Sequence, residues 1–278
     1  MKDFLLKLGI EYFSAVPLSK CKITKKYLLD KNGFDENANA IIMLLPYRSE
    51  IKPVNLSVYA SVKDYHSFVK NLAESAEVYV KERYPSALFK VFADHSPIDE
   101  VHAACVAGLG FIGDNGLIIN PEYSSFVFIC ECITDIDPRL LGIDYAVENS
   151  IKECLHCKKC AAACPSHCMD INDPRPKSEC LSAITQKKGM LTDDETSLML
   201  RNGSIWGCDI CQNVCPFTKN AKYTKIDFFK KDVITLLNTE TLAAMSDEEF
   251  FSRPFSWRGR SVIERNIKLY ENSVSEEK

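Results

Sequence analysis

Apolar and polar positions along the first half of the chain switch repeatedly between the strand and helix periods. Residues 38–47 (ANAIIMLLPY) form a short apolar run suited to a buried strand. Residues from about 59 to 84 read as a long helix. Tyr65, Phe68, Leu72, Ala76 and Val80 recur there at three- or four-residue steps, and Pro85 lies just past the end. Residues 87–93 (ALFKVFA) read as the next strand. Ser96-Pro97-Ile98-Asp99 then predicts a helix start, with Ser96 as N-cap, Pro97 at the first position and an acid at the third. That helix should stop near Gly108. Residues 116–120 and 125–134 look like a strand pair joined through Pro121-Glu122-Tyr123, and the opening MKDFLLKLGIEYF reads as an amphipathic helix. The alternation predicts an α/β sandwich.

The texture changes at Ile151. Cysteine, proline and lysine dominate until about Lys225, with little apolar periodicity. Such a segment should be unable to build a core of its own, and bound metal is the expected substitute. Beyond Ile226 the pattern is one of short helices, with a capping box at Ser246-Asp247-Glu248-Glu249 and a polar, frayed end. The predicted division is 1–150, 151–225 and 226–278.

Composition narrows the chemistry. Hydrophobic residues make up 46% and charged residues 26%, the balance of a soluble globular protein. No run of about 18 apolar residues offers a membrane span. The N-terminus has no apolar stretch followed by a small-residue cleavage site, so a cytoplasmic, reducing location is expected. There the 13 cysteines point to metal or catalysis rather than disulfides. A net charge of −4 argues against non-specific nucleic-acid binding by the whole chain and leaves room for a local basic patch.

Spacing decides which metal. Cys154-x2-Cys157-x2-Cys160-x3-Cys164-Pro165 is the bacterial ferredoxin run for [4Fe–4S] clusters, in which the fourth cysteine ligates the other cluster. Cys208-x2-Cys211-x3-Cys215-Pro216 supplies a related, shortened run, and Cys180 is the natural eighth ligand, with Cys168 its competitor. The expected assignment is Cys154, Cys157, Cys160 and Cys215 for one cluster, and Cys164, Cys180, Cys208 and Cys211 for the other. Zinc uses CxxC pairs but rarely two runs that each end in Cys-Pro. Cys21, Cys105, Cys130 and Cys132 read as small packing side chains. His156 and His167 read as surface or neighbouring groups, because the cysteine set is complete without them. Gly108-Leu109-Gly110-Phe111-Ile112-Gly113 has dinucleotide-motif spacing but closes a helix instead of opening one, so a Rossmann reading is rejected.

Clusters deliver electrons without saying to what. Asp94-His95-Ser96-Pro97, the stretch Ala107 to Asn115 (AGLGFIGDN), the following strand pair and the CxxCxxCxxxCP run together resemble the epoxyqueuosine reductases. Gly207-Cys208-Asp209-x-Cys211-Gln212-x-x-Cys215-Pro216, Asp64-Tyr65-His66, and Cys180 with Thr185-Gln186-Lys187-Lys188-Gly189 resemble them too, over roughly residues 35–265. The resemblance implies an α/β cobalamin-binding sandwich like that of reductive dehalogenases, a ferredoxin-like double-cluster module and a short helical C-terminal segment. It implies cobalamin and two [4Fe–4S] clusters as cofactors. It also implies reduction of the epoxide of epoxyqueuosine at the wobble position of a tRNA anticodon loop. Asp94 falls at the family's proton donor, and to act near neutral pH its carboxyl would need a raised pKa. Ser57, Tyr65, His66, Asp94, Gly113, Asn115, Ile118 and Gln186 fall at cobalamin-contacting positions.

The chain departs from the family in three places. It stops near where the family's helical-repeat extension begins. It has Asp94-His95-Ser96 for the usual Asp-Thr-Gly. It has Asp114 for the Lys of the Gly-Lys-Asn turn. Lys187, Lys188, Lys219, Lys222, Lys225, Arg258 and Arg260 are candidates for phosphate contact. A monomer fed by a low-potential donor such as ferredoxin or flavodoxin is expected. The rival readings are a corrinoid reductase acting on a small molecule and a two-cluster electron-transfer protein without corrin.

Overall fold

The computed structural model describes residues 1–147, 153–169 and 176–276. The predicted boundary near residue 150 lies outside them. The chain divides into two compact units, each assembled from separated stretches. The first is Met1–Tyr47, Tyr65–His156 and Asn220–Asp227, and the second is Arg48–Asp64, Cys157–Lys219 and Phe228–Lys278. The division predicted from the sequence was into three contiguous segments.

Among its described residues the first unit holds six strands: β1 (Tyr12–Pro17), β2 (Asn39–Pro46), β3 (Phe89–Phe92), β4 (Phe111–Ile112), β5 (Ile118–Ile119) and β6 (Val127–Thr134). Four form one antiparallel sheet in the order β1-β2-β6-β3. All eight residues of β2 are buried, which is why it reads as an unbroken apolar run instead of an alternating one. On one face Ala40, Ile42, Leu44 and Ile133 share a core with Leu28 and Leu29 of the helix Lys26–Asn32 and with Ala103 and Ala104 of the helix Glu100–Val106. On the other, Ile41, Met43 and Cys132 meet Leu5 of the helix Lys2–Lys7 and Leu72 and Ala76 of the helix Tyr65–Arg83. Helices therefore cover both faces, and the sandwich expectation stands with an antiparallel sheet at its centre.

Three local expectations are corrected. Residues 116–120 do not pair with β6: β5 pairs with β4 in a separate two-stranded hairpin. The helix after Asp94 starts one turn later than predicted. Asp99 is its N-cap, accepting the His102 N–H at 3.1 Å, while the Ser96 hydroxyl accepts Ile98 N–H at 3.1 Å in the preceding turn. Both residues can cap, and Pro97 allows either. The long helix begins at Tyr65, with a separate short helix Val58–Ser61 before it.

The second unit has a hydrophobic core after all. Leu56 and Ala60 join Ile205, Trp206, Leu237, Phe250, Phe255, Val262 and Ile263 there. The cysteine-rich stretch thus borrows apolar partners from residues 48–64 and from the C-terminal helices Thr239–Ala244, Asp247–Phe251 and Arg260–Glu276. The capping box is formed as predicted, Ser246 and Glu249 each bonding the other's backbone N–H. The polar end predicted to fray is helical to Glu276. Among the described residues no helix is long and apolar enough to cross a membrane.

Candidate functional site

In the second unit, Cys160 lies in the helix Lys159–Ala163 and Cys164 caps its C-terminus. Cys211 lies in the helix Ile210–Asn213, and Cys215 precedes the turn Pro216–Thr218. These two short helices pack together, which brings the two cysteine runs side by side. Cys180 caps the N-terminus of the helix Leu181–Thr185. Burial pushes the Cys208 thiol up to about 11 and the Cys211 thiol up to about 12, and Cys164 and Cys180 act on both in the same direction. Cys164, Cys180, Cys208 and Cys211 thus lie close enough together to form a set of thiols that bound cations would deprotonate. They are the four assigned from spacing to one cluster. Cys168 stands beside them, its thiol also raised by burial and its Sγ 3.3 Å from the Ser166 hydroxyl.

In the first unit, Asp94 follows β3 in a left-handed backbone conformation, φ 57°. Its Oδ2 lies 3.3 Å from His66 Nε2, and the Tyr65 hydroxyl is within hydrogen-bonding reach of the same carboxylate. Both residues come from the first turn of the helix Tyr65–Arg83, where the Tyr65 ring stacks on Phe128 of β6 at 4.3 Å and 9°. The backbone of Asp94 is pinned as well. Its N–H donates to Glu100 Oε1 at 3.0 Å, and Lys25 Nζ donates to its carbonyl at 3.5 Å. The fold brings Asp94, His66 and Tyr65 together.

The expected upward shift of Asp94 is reversed. The His66 hydrogen bond is the largest influence and lowers its pKa; burial opposes, and Tyr65 and Lys25 lower it further. The side chain is 69% exposed, too open for desolvation to win. His95 is engaged elsewhere, with Nε2 3.1 Å from the Tyr27 hydroxyl and Nδ1 3.4 Å from Lys25 Nζ.

The remaining predicted contacts are placed differently. Ile118 is buried in the sandwich core. Asn115 Oδ1 accepts the Leu117 N–H at 3.3 Å within the β4–β5 turn. A Cβ on Gly113 would stand 2.6 Å from that Oδ1, so this glycine serves the turn's own packing. In the second unit Ser57 is buried with an unpartnered hydroxyl. Gln186 there bridges the Tyr59 hydroxyl (3.2 Å) and Trp257 Nε1 (3.2 Å). Asp114 Oδ1 lies 2.7 Å from His156 Nδ1, within hydrogen-bonding distance, and Cys154 Sγ completes a cluster of three potential ligands. Of the basic candidates, Lys187, Lys222, Lys225 and Arg260 are each paired with a carboxylate, from Glu195, Glu122, Glu11 and Asp247. The Arg258 guanidinium lies 3.6 Å over the Trp257 ring.

Sequence reasoning missed Glu100, Lys25, Asp209 and Glu131. Asp209 is buried, accepts the Val58 N–H at 2.6 Å and is pushed up to about 6 by that burial. Glu131 had a visible signal: one charge inside the otherwise apolar strand VFICECIT.

Residues 153–218 match the family model described as a 4Fe-4S double cluster binding domain. The epoxyqueuosine reductase of Bacillus subtilis (strain 168) is 29% identical across 97% of this chain and 71% of its own length. That of Lactococcus garvieae (strain Lg2) is 31% identical across 80% and 62%. Among solved structures, an epoxyqueuosine reductase with a tRNA-Tyr epoxyqueuosine-modified stem loop superimposes with a TM-score of 0.74 at 23% identity, covering 97% of this chain and 79% of that one. The Streptococcus thermophilus enzyme gives 0.71 at 21%, covering 98% and 80%. By sequence the chain is similar to the epoxyqueuosine reductases across nearly its whole length, and it shares their fold to the same extent.

Proposed function

We propose that this chain is a cobalamin- and iron–sulfur-dependent reductase that converts epoxyqueuosine in tRNA to queuosine. The observation that carries the reading is the Asp94–His66–Tyr65 constellation, presented on the first unit of a chain that also carries a double-cluster domain. Removing the epoxide oxygen takes two electrons and two protons and yields an alkene and water, so a proton donor is required beside the electron source.

The donor sets differ in how well they fit the proposed cofactors. The cysteines fit iron–sulfur clusters, as thiols gathered in two adjacent runs with those of Cys208 and Cys211 desolvated. We assign Cys154, Cys157, Cys160 and Cys215 to one cluster and Cys164, Cys180, Cys208 and Cys211 to the other. For cobalamin, His66 and Asp94 fit, with side chains 52% and 69% exposed. The side chains of Asn115 and Ile118 are spent inside the first unit and leave only the hairpin backbone to offer. Bound cobalamin would supply low-potential electrons received from the clusters.

Asp94 is the group that protonates the departing oxygen. Its lowered pKa means it must take a proton before giving one, and His66 Nε2, 3.3 Å away, is placed to hand that proton over. Tyr65, stacked on Phe128, fixes the direction in which the carboxylate points. The protein is proposed to act in the cytoplasm, fed by ferredoxin or flavodoxin.

The test is turnover of epoxyqueuosine-containing tRNA by the reconstituted protein, read as queuosine formed. Asp94→Asn should retain both clusters and cobalamin binding and lose turnover by at least about 100-fold, the scale of a general acid. Wild-type turnover in that variant would remove the acid role. A protein that binds no cobalamin would remove the whole reading in favour of simple electron transfer.

A further inference from the structure

Beneath the Asp94 turn lies a pair of buried carboxyls that the reaction described above does not use. Glu131 stands in β6, opposite Phe92 of β3 and Ile42 of β2, and is wholly buried. Neither of its oxygens makes a well-formed hydrogen bond. The polar groups close enough to act on it are Glu100 and the Ser96 hydroxyl. Glu100 opens the helix Glu100–Val106 and turns back, so that its Oε1 accepts the Asp94 N–H at 3.0 Å. That bond helps hold Asp94 in a left-handed conformation costing a non-glycine residue roughly 1–3 kcal/mol.

Two carboxyls in contact inside an apolar layer cannot both ionise. As a carboxylate, Glu131 would have almost nothing to accept from; as an acid, it has the Glu100 carboxyl to donate to. The groups facing the pair sharpen this. Glu100 meets the Asp94 carboxylate, the Tyr65 hydroxyl and the Lys25 ammonium. Glu131 meets Asp94 and Glu100, and its charge bears on the thiols of Cys21, Cys130 and Cys132. Burial and the Asp94 carboxylate push Glu100 up to about 7, with the hydrogen bond from Glu131 opposing, while burial and the charge of Glu100 push Glu131 well above the usual carboxyl range.

We infer that Glu131 and Glu100 are positioning residues for Asp94: a proton shared between them keeps Glu100 under the Asp94 N–H, and its loss in alkaline solution releases the turn. This rests on the reading of Asp94 as the acid. The pair never touches substrate. It sets the pH above which Asp94 is no longer held where a proton is needed.

The test compares pH profiles of kcat for epoxyqueuosine-tRNA in the wild type, Glu131→Gln, Glu100→Gln and Glu100→Ala. Wild-type kcat should fall about fivefold or more between about pH 7 and about pH 9, as a group titrating in that range requires. Glu131→Gln should flatten that limb to less than about twofold, because an amide donates to Glu100 at every pH. Glu100→Gln keeps an acceptor for Asp94 and a donor for Glu131, so it should be flattened likewise; it carries the test if Glu131→Gln fails to fold. Glu100→Ala should lose about tenfold in kcat at every pH with KM unchanged, the pattern of a lost transition-state contact. An infrared difference spectrum of substrate-free holoprotein at neutral pH, wild type minus Glu131→Gln, should show the carbonyl stretch of a protonated carboxyl. An alkaline limb that persists in both glutamine variants, a wild type without such a limb, or absence of the infrared band overturns the inference. A wild type that never turns over this tRNA defeats the proposed function instead, while the infrared band still reports on the pair.

Discussion

Gly207, the residue before the first cysteine of the second run, has φ +77°. A Cβ placed there would stand 2.0 Å from Ser57 Oγ, 2.7 Å from Ser57 Cβ and 2.8 Å from a ring carbon of Tyr59. Rotating Ser57 relieves only the first of these. The turn cannot easily withdraw, because Gly207 N–H donates to Thr185 Oγ1 at 3.0 Å and its carbonyl accepts from the Ser204 hydroxyl at 2.7 Å. Ser57 is tied in turn through its N–H to the Trp206 carbonyl at 2.9 Å. Gly207→Ala therefore carries a left-handed penalty of roughly 1–2 kcal/mol and an overpacking cost of roughly 1–3 kcal/mol, together about 2–5 kcal/mol. Gly203 separates the two contributions. It is also left-handed, at φ +60°, but has no atom within 4 Å of a Cβ position. Gly203→Ala should cost only the first roughly 1–2 kcal/mol. The assay is thermal unfolding of the anaerobic holoprotein by circular dichroism, with iron content measured on each variant. Equal losses in the two variants would refute the crowding argument, since only Gly207 has neighbours to collide with.

Asn266 is wholly buried and donates through Nδ2 to the carbonyls of Thr185 (2.7 Å) and Ile205 (2.8 Å). Asn266→Ala should destabilise the protein by roughly 2–4 kcal/mol in the same unfolding measurement, by orphaning both acceptors. Cys211→Ala should halve the iron of the reconstituted protein, from about eight to about four per chain, with one cluster's absorption retained. Stability should fall as pH rises from near 4.5, the ordinary value for Glu100, through about 7, its value in the fold. The sign follows from a raised pKa: the protonated form is favoured by folding, and that stabilisation is complete below the ordinary value and lost through the folded one. Asp94, with its lowered pKa, acts oppositely and loses its contribution only in acid, so Glu131→Gln should flatten the alkaline decline of the melting temperature alone.

Elements with one strong period were readable from the chain. β2 is an apolar run because both its faces are covered, and the helix Tyr65–Arg83 shows its buried stripe at every turn. What failed depended on distant partners. β1 (Tyr12–Pro17) was not anticipated, because YFSAVP becomes a strand only by pairing with β2, and the helix read over residues 1–13 extends only over Lys2–Lys7. β5 was assigned to the wrong partner, since two apolar residues carry no information about which strand they join. The cysteine-rich stretch was judged unable to form a core because its partners, Leu56 and Phe255 among them, lie far from it in sequence.

The site was readable in its identities and misread in its electrostatics. Metal-ligating cysteines announce themselves by spacing, because a cluster's thiolates must come from a tight loop and that constraint is local. A proton affinity is not local. Asp94 was expected to be raised by burial, yet a partner one helix away in sequence, His66, outweighs the burial of a carboxylate that is mostly exposed. Near Asp94 the carboxyls whose affinities are raised are Glu100 and Glu131, and only the fold shows why: β6 carries Glu131 into the layer under the helix that Glu100 opens. A charge in an apolar strand costs several kcal/mol unless it is neutralised or paired. Burial and the neighbouring Glu100 both disfavour a charge on Glu131, so neutralisation is what the packing leaves, and the residue able to share that proton is the one that holds the Asp94 N–H.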